Sequence, residues 1–430
     1  MSRKFRRVCL ILFLLFVFLF IILLVYQKDR VLNTLNNLLP APIAGTIQFF
    51  AELNVSPKKI NNDYNVKFLP ESQYAFLNFN KYKLPFVAKD NIGYLKILKK
   101  KPFVFDIYKD YLIVMPANGT FFNQQIDQMI LGKKFNMINS NLNTNNALDI
   151  FIDNDDIYVS YEKKIKNCSF LYLAKSKINL KKLNFENIFV SNECVSKIQS
   201  GRIQKTIIDN EKYILLATAA DIISGKKNLA SDSKPQNEKS IYGKIISINV
   251  KDFSHSIFSK GHRNILGLYS KGDVIISTEN GPRGGDEINR IYKDKNYGWP
   301  ISSDGNMYVD GYNDGDEYSL SQRNYKDHED MGFENPIFSF IPSIGITEIV
   351  ELEDEFIKTW KNNFLVGSLN SKHLYRIKFD KEFKKINYYE KIFVGERIRD
   401  LKYHSRNSQV IMALEDSGSL GILKKKINQN

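Results

Sequence analysis

The chain has 430 residues, of which 43% are hydrophobic and 25% are charged, and it contains 30 Phe and 23 Tyr. This apolar content suffices for a large core and excludes a wholly disordered chain. The formal net charge is +14, but the lysines are scattered beyond the N-terminus and no nucleic-acid-binding motif occurs, which argues against nucleic acid as a partner.

An unbroken apolar run occupies residues 8–26. As a helix rising about 1.5 Å per residue, it would span about 28 Å, which matches the core of a bilayer. More basic residues precede the run than follow it, so the N-terminus is expected in the cytoplasm and the bulk of the chain outside it, in the periplasm or its equivalent. The basic residues ahead of the run are Arg3, Lys4, Arg6 and Arg7, and those behind it are Lys28 and Arg30. Residues 1–30 are therefore predicted to form a basic tip and a transmembrane anchor, with a cleaved signal peptide as the alternative.

Residues 31–64 are interpreted as a linker with the first structural elements, and residues 65–430 as one β-rich domain. Short β-rich runs alternate there with clusters of Asn, Asp, Gly and Lys, and no long amphipathic helix intervenes. Strands are predicted at 94–98, 103–108, 111–115, 147–152, 157–161, 170–175, 188–190, 203–208, 213–218, 244–249, 274–278, 337–340, 364–367, 374–379 and 409–413. This pattern indicates an all-β fold, and a sandwich, a barrel and a propeller all fit it.

Two of the three cysteines, Cys168 and Cys194, lie in the domain that is expected outside the cytoplasm, and Cys9 lies in the apolar run. An oxidising compartment would allow the two to pair. Their separation in space does not follow from the sequence, so a disulfide and two buried thiols both remain open.

A glycine-rich turn follows the predicted strand at 274–278. Asn280, Gly281 and Pro282 are followed by Gly284, Gly285 and the acid pair Asp286 and Glu287. Glycines permit close backbone approach, so such a turn can aim several carbonyl groups and a carboxylate at one hard cation such as Ca²⁺. The alternative interpretation is a tight turn between strands with solvated acids.

Two arginines, Arg397 and Arg399, stand two positions apart in a segment that is expected to be extended. Their side chains should leave the same face of the strand, while Ile398 and Asp400 leave the other. Two guanidinium groups on one face require an anion, which is either a ligand or neighbouring carboxylates and water.

Four pieces of sequence resemble, in order, the signature of the glucose/sorbosone dehydrogenase family. They are Gly-His-Arg-Asn at 261–264, Gly-Pro-Arg-Gly-Gly-Asp-Glu at 281–287, Asn289, and Asn-Tyr-Gly-Trp-Pro at 296–300. The resemblance implies a six-bladed β-propeller that binds pyrroloquinoline quinone and calcium and oxidises a sugar. Preceded by the predicted transmembrane helix, such a propeller would act on a sugar or glycan beside a membrane electron acceptor.

The resemblance also implies roles for individual residues. Arg397 and Arg399 would grip the carboxylates of the quinone cofactor, while Arg263 and Asn264 would lie beside its ring. Arg263 could then stabilise negative charge on the quinone oxygens as hydride arrives. The implied calcium ligands are the carbonyl groups of Gly281 and Pro282 at the cofactor, and Glu287 with the carbonyl group of Tyr297 at a second ion, with Asp304 or Asp310 as further candidates.

The sequence departs from the family pattern where protons are transferred. The family's general base is a His in a His-x-Ser-Gly-Arg turn, and the nearest match here begins with Ile198 and ends with Arg202. Isoleucine cannot accept a proton. The family's Gly-Gln-Gly-Gly-Leu-Leu turn has no counterpart at 141–149, and Asn370 replaces the Lys of its Ser-Leu-Lys turn. His262 belongs to the matched signature, but a buried structural histidine is the commoner case.

The first hypothesis is thus a membrane-anchored oxidoreductase of the aldose dehydrogenase type, dependent on pyrroloquinoline quinone and calcium, with impaired proton transfer. A second hypothesis is a non-catalytic propeller that binds a glycan or a partner protein. A third is a metal-dependent lactone hydrolase on the same scaffold, because a fold does not determine a function.

Overall fold

The computed structural model describes residues 67–68, 77–84, 86–87, 102–220, 233–282, 284–305, 325–353 and 356–425. The predicted anchor, the linker up to residue 64 and the strand predicted at 94–98 lie outside these ranges. Within them, no helix combines the length and the apolar character needed to cross a membrane.

Strands dominate the described part of the chain. In chain order they are β1 (Lys67–Phe68), β2 (Leu77–Lys83), β3 (Phe103–Tyr108), β4 (Tyr111–Pro116), β5 (Phe121–Gln125), β6 (Asn136–Ser140), β7 (Asn146–Asp153), β8 (Asp156–Ile165), β9 (Cys168–Lys177), β10 (Lys182–Leu183), β11 (Glu186–Val190), β12 (Ile203–Ile208), β13 (Glu211–Ala217), β14 (Lys244–Asn249), β15 (His255–Lys260), β16 (Ile265–Lys271), β17 (Val274–Glu279), β18 (Asp286–Arg290), β19 (Phe338–Phe340), β20 (Ile346–Glu351), β21 (Phe364–Ser368), β22 (His373–Phe379), β23 (Ile386–Phe393), β24 (Ile398–His404), β25 (Gln409–Leu414) and β26 (Ser419–Lys425). One α-helical turn, Ile126–Ile130, and the 3₁₀ helices Glu329–Met331 and Lys358–Trp360 complete the described elements.

These strands form six sheets, the blades of a propeller. From the innermost strand outwards, blade 1 is β3-β4-β5-β6-β10, blade 2 is β7-β8-β9-β11, blade 3 is β12-β13-β14-β15, blade 4 is β16-β17-β18-β19, blade 5 is β20-β21-β22-β23-β1, and blade 6 is β24-β25-β26-β2. Blade 6 takes its outer strand from the other end of the chain: Leu77 pairs with Lys425 and Lys83 pairs with Ser419. This pairing closes the ring and confirms the predicted all-β, six-bladed propeller.

The predicted strands within the described ranges all overlap observed strands, but several observed strands were not predicted. One of these is β18, in which all five residues are buried although four of them are polar or charged. Its sequence, DEINR, carries no alternation of apolar and polar residues that would mark a strand. Tertiary partners stabilise this strand, and they are not visible in its own sequence.

Apolar clusters fill the spaces between neighbouring blades. Alternate residues of an inner strand face opposite neighbours: Val104 packs towards blade 2 and Phe105 towards blade 6. Because both faces of each sheet are covered, central strands such as β4 and β25 are apolar along most of their length. The cluster between blades 1 and 2 includes Ile113, Ile150 and Val159, and the one between blades 6 and 1 includes Leu112, Ile411 and Leu420.

Polar side chains join each inner strand to the next. Three of these side chains are carboxylates that accept a hydrogen bond from a backbone N–H group of the following blade, and a fourth carboxylate accepts one from the preceding blade. The contacts are Ile152 N to Asp106 (2.7 Å), Ile203 N to Asp149 (2.8 Å), Gln204 Nε2 to the Leu268 carbonyl (3.1 Å), Leu268 N to Glu348 (3.2 Å), Thr347 Oγ1 to the Ile398 carbonyl (2.9 Å) and Phe105 N to Asp400 (3.3 Å). The six bonds form a closed ring around the propeller axis.

Arg202 lies at the centre of this ring, with only 5% of its side chain exposed. Its Nη1 is 2.9 Å from Asp149, 3.1 Å from Glu348 and 3.1 Å from Asp400, so it joins three blades. Burial raises the pKa of Glu348 to about 7, and the charge of Arg202 acts in the opposite direction. The cation therefore limits the cost of burying carboxylates together.

β-Bulges accompany the three carboxylates that contact Arg202. The pairing register shifts between Ala147 and Asp149 in β7, between Ile346 and Ile349 in β20, and between Ile398 and Asp400 in β24. A bulge re-aims a side chain by inserting one extra residue into a strand. Here the bulges direct carboxylates from separate blades towards one guanidinium group.

The two cysteines of the propeller form a disulfide between Cys168 and Cys194. Cys168 begins β9, and Cys194 belongs to the connection between β11 and β12 that leads to Arg202. Backbone hydrogen bonds between Ser169 and Val195 reinforce the link. Of the two possibilities that the sequence left open, the structure shows the disulfide.

Replacement of the central cation tests the role of this network. We expect Arg202→Met to lower the free energy of unfolding by about 3–5 kcal/mol at pH 7, because buried carboxylates lose their partner. The loss should shrink as the pH falls, because without Arg202 the carboxylates have higher folded-state pKa values and regain stability by taking up protons. Urea unfolding at pH 7 and pH 5 measures both effects.

The matched control is Arg406→Met, which removes an arginine that is 65% exposed and paired with Asp110. Its effect should stay below about 1 kcal/mol. Equal effects of the two substitutions would show that the central network contributes no more than a surface ion pair.

Candidate active site

The site residues predicted from the sequence lie at one end of the propeller, which we call the upper face. All six inner strands begin at this end, and the turn that connects the second strand of each blade to the third also lies there. Arg263 and Asn264 directly precede β16, Arg397 and Arg399 lie at the start of β24, and the glycine-rich turn joins β17 to β18. The common up-and-down order of the blades places these segments together.

One cavity at this face gathers Arg263 and all four predicted calcium ligands. Its volume is about 200 Å³, including the part that is open to solvent. Its lining comprises Arg263, Glu279, Gly281, Pro282, Glu287, Tyr297, Trp299, Ser302 and Ser303. Asn264, Arg397 and Arg399 are not among the lining residues.

The cavity carries an excess of negative charge. Glu287 is buried, and burial together with the nearby charges of Glu279 and Asp304 holds the pKa of its carboxyl group well above the usual range. Its Oε2 accepts a hydrogen bond of 3.2 Å from Asn289 Nδ2. A cation held by oxygen atoms would relieve this repulsion, because it favours the ionised form of the carboxyl groups.

The donor atoms suit a hard cation in their type, since they are carboxylate, carbonyl and hydroxyl oxygens. Among the described residues, however, no three His, Cys, Asp or Glu side chains are arranged to hold a metal ion. Asp304 is engaged by the Ser339 hydroxyl at 2.5 Å. Asp310, the other candidate from the sequence, lies outside the described residues.

The glycine-rich turn is held from within by Asp286. This carboxylate accepts hydrogen bonds from the N–H groups of Gly281 (3.2 Å), Ile344 (3.0 Å) and Ile346 (2.9 Å). A Cβ at Gly281 would lie 1.5 Å from the Gly285 carbonyl oxygen, so glycine is required there. Asp286 and Glu287 are both buried, and the alternative of a turn with solvated acids is therefore wrong.

Arg263 and Asn264 each present an unpaired polar atom. Arg263 donates from Nη1 to the Asn280 carbonyl (2.8 Å), and its guanidinium group lies 5.2 Å from the ring centre of Trp299. In the described part of the chain, the buried Arg263 Nε and Asn264 Oδ1 have no hydrogen-bond partner. A buried donor and acceptor without partners fit a polar ligand at this position.

A buried lysine supports the wall of the cavity. Lys244 is fully buried, and its Nζ donates to the carbonyl groups of Lys234 (2.7 Å) and Pro235 (2.9 Å). The adjacent Gln236 donates from Nε2 to the Trp299 carbonyl (2.6 Å). The motifs predict no role for Lys244, but a lysine in the otherwise apolar strand at 244–249 indicates a buried, hydrogen-bonded environment.

His262 occupies the matched signature but cannot reach a substrate. Its Nε2 is 2.8 Å from Ser259 Oγ and its Nδ1 is 3.1 Å from Glu279, and the residue is 0% exposed. The spacing is that of a Ser-His-acid triad, but Ser259 is itself 1% exposed and unavailable as a nucleophile. The geometry favours a structural role for this histidine.

Ile198, which matches the position of the family's general base, is buried in the apolar cluster between blades 2 and 3. The residues that follow it are fixed: Ser200 donates to the Ile265 carbonyl, and the Gly201 carbonyl accepts from Ser160. Arg202 then enters the central network. This segment serves packing and supplies no proton acceptor.

Arg397 and Arg399 meet on one carboxylate, that of Glu415. Arg399 donates to it from Nε (2.9 Å) and Nη2 (2.6 Å), and Arg397 Nε lies 3.6 Å away. The two side chains therefore share a side, as the spacing predicts. A neighbouring carboxylate does satisfy part of their hydrogen-bonding capacity.

Comparison with known proteins gives a consistent result. The model of the glucose/sorbosone dehydrogenase family matches residues 144–424. The chain is 25% identical over 289 residues to an uncharacterised protein of Synechocystis, covering 63% of this chain and 67% of that protein. It is 28% identical over 168 residues to the aldose sugar dehydrogenase YliI of Escherichia coli, covering 38% of this chain and 42% of the relative. The second alignment thus spans less than half of its relative.

A solved structure shares the fold. The form of the Streptomyces coelicolor aldose sugar dehydrogenase with bound pyrroloquinoline quinone superposes with a TM-score of 0.53 at 15% identity. The match covers 81% of this chain and 99% of that one. At this level of identity the likeness shows the propeller alone.

Proposed function

Because the chain belongs to the glucose/sorbosone dehydrogenase family, we propose that it is a membrane-anchored oxidoreductase of the aldose sugar dehydrogenase type that binds pyrroloquinoline quinone and calcium. The observation that carries the proposal is the cavity at the upper face. It brings Arg263 together with Gly281, Pro282, Glu287 and Tyr297, which are separated by up to 34 positions in the sequence.

The residues that would hold the quinone are Arg263, Asn264, Arg397 and Arg399. Guanidinium groups are well suited to the carboxylates of a planar tri-acid, because each offers a fork of N–H donors. The unpaired Arg263 Nε and Asn264 Oδ1 support a ligand beside them. When bound, the quinone would supply the acceptor for the hydride that leaves the sugar carbon and carries the two electrons of the oxidation.

Proton removal is the weak part of this site. Ile198 is apolar, and both nitrogens of His262 are engaged inside the protein. General base catalysis typically contributes a factor of about 10² to 10⁴, so its loss would slow oxidation without preventing cofactor binding. We propose that this chain binds the cofactor and oxidises aldoses slowly.

Two substitutions separate binding from proton transfer. Ile198→His restores a proton acceptor at the position that matches the family's base, but it also places a polar ring in an apolar cluster. It should raise the rate of aldose oxidation with little change in the affinity for pyrroloquinoline quinone, and it should lower the free energy of unfolding. Arg397→Ala should weaken the binding of the quinone itself, because it removes a cation that would meet the ligand's carboxylates. Calorimetric titration and steady-state rates on the same preparations measure the two properties.

Arg406→Ala, which removes an exposed arginine from the end of the propeller opposite the upper face, serves as the control for lost charge. Rapid oxidation by the wild type would show that another group acts as the base. If no quinone binds with or without calcium, the non-catalytic propeller that holds a glycan or a partner protein becomes the better account. Turnover of a lactone without quinone would favour the hydrolase.

Calcium is proposed from the chemistry of the cavity. Carbonyl groups of Gly281, Pro282 and Tyr297 and the carboxylate of Glu287 would hold it, and the ion would offset the charge that Glu279 and Asp304 add. Since only the folded chain offers this set of oxygens, binding should stabilise the fold by about 2.7 kcal/mol at a hundredfold excess over the dissociation constant.

Chelation should therefore lower the melting temperature of the full chain, and added calcium should restore it. Glu287→Gln should remove most of this dependence, because it takes away the charged ligand. Glu329→Gln, at an exposed position in a 3₁₀ helix, should leave the dependence intact. An identical melting curve in chelator and in calcium, with no metal found by elemental analysis, would remove calcium from the account.

The location proposed for the propeller is outside the cytoplasm, tethered by residues 8–26 beside a membrane electron acceptor. The disulfide supports an oxidising compartment, because such bonds persist mainly there. Protease added to right-side-out membrane vesicles should digest the propeller. Protection of the propeller in intact vesicles, with digestion only after lysis, would place it on the cytoplasmic side.

A further inference from the structure

Glu415 stands directly behind the arginine pair of the upper face. It follows β25, in the turn that leads to β26, and its side chain is 0% exposed. A fully buried carboxylate is stable only with cationic or hydrogen-bonding partners. Its partners here are the two arginines that we propose to bind the cofactor.

Glu415 contacts the two arginines in different ways. Both Nε and Nη2 of Arg399 donate to the same oxygen, Oε2, at 2.9 and 2.6 Å. The other oxygen, Oε1, is 3.6 Å from Arg397 Nε, a distance that allows ionic attraction without a hydrogen bond. Arg397 is held from its other side, because its Nη1 donates to Asn370 Oδ1 at 3.0 Å.

These contacts leave one terminal nitrogen of each guanidinium group without a partner. Within the part of the chain that the structure describes, Arg399 Nη1 and Arg397 Nη2 donate to no residue. The buried donor Arg397 Nε and the buried acceptor Glu415 Oε1 also have no hydrogen-bond partner there. One terminal nitrogen of each arginine thus remains for an anionic ligand at the upper face.

The carboxylate has little freedom to move away. The backbone N–H group of Glu415 donates to the Arg397 carbonyl at 2.9 Å, so the turn is tied to the segment that carries the pair. Without a negative charge between them, two neighbouring guanidinium groups would repel each other and separate. Glu415 therefore has the position and the charge needed to keep them together.

We propose that Glu415 is a positioning residue that sets the orientation of Arg397 and Arg399 for a carboxylate-bearing ligand. The proposal rests on the proposed function, because pyrroloquinoline quinone is the ligand with which it is tested. It extends that function, because Glu415 would orient Arg397 and Arg399 before the cofactor binds without touching the cofactor itself.

The first experiment is calorimetric titration of the full chain with pyrroloquinoline quinone in the presence of calcium. Glu415→Gln preserves the size of the side chain and removes its charge, and it should weaken binding about tenfold, as expected when a charge-assisted hydrogen bond is lost. Tighter or unchanged binding would overturn the proposal, because it would show that Glu415 merely competes with the ligand for the arginines.

Asp156→Asn is the control. It removes the same charge at the opposite end of the propeller, where the carboxylate pairs with Lys175 at 3.2 Å and Lys177 at 2.7 Å rather than with a guanidinium group. Its affinity should stay within about twofold of the wild type. In an Arg399→Gln background, Glu415→Gln should have a much smaller effect than in the wild type, since coupled residues are not additive. Equal effects in both backgrounds would reject the positioning role.

A second measurement decides the matter if Glu415→Gln fails to fold or if the wild type binds no quinone. The Arg399 Nε–H signal in ¹⁵N-resolved spectra of the full chain can be assigned by its absence in Arg399→Gln. A slowly exchanging, shifted signal in the unliganded wild type supports the orientation that Glu415 sets. A signal averaged with those of exposed arginines overturns it, whatever the outcome for the proposed function.

Discussion

The contact of Arg202 with three carboxylates is the constraint on which the rest of the structure depends. Asp149, Glu348 and Asp400 come from blades 2, 5 and 6, so a single guanidinium group connects distant parts of the chain at the axis. Burying these acids is unfavourable without cations, and Lys402 Nζ, which lies 3.8 Å from Glu348 and 3.9 Å from Asp400, adds a second positive charge beside Arg202. The contacts of Arg202 itself link three inner strands near the position at which they begin.

The site at the upper face depends on that network through β24. Arg202 Nη2 donates to the carbonyl group of Arg399 at 3.0 Å, and Asp400, the next residue, supplies one of the three central carboxylates. The bulge between Ile398 and Asp400 lets two neighbouring residues point in different directions. Asp400 faces the axis and contacts Arg202, while Arg399 faces Glu415. A rigid strand thus carries both the central network and the arginine pair, as a precise binding site requires.

The two halves of the site differ in the chemistry that they retain. Buried acids, carbonyl groups and arginines remain around the cavity and at the start of β24, whereas apolar packing occupies the position of Ile198. The loop held by Lys244 and the stacked rings of His262 and Tyr297, 4.7 Å apart, also support the retained half. The structure thus preserves the means of binding charged groups more fully than the means of moving a proton.

The sequence by itself determined the all-β class, the arginine pair, the glycine-rich turn and the absence of a proton acceptor at Ile198, because these follow from residue type, short-range spacing and motif order. It did not separate a propeller from a sandwich except through the family resemblance. Only the tertiary structure decided that Cys168 and Cys194 form a disulfide and that Leu77 closes a blade by pairing with Lys425.

The tertiary structure also decided that Asp286 and Glu287 are buried and that Glu415 contacts both Arg397 and Arg399. The physical reason is separation along the chain. Phe105 and Asp400, which meet in the central ring, are 295 residues apart, and no local periodicity encodes such a contact.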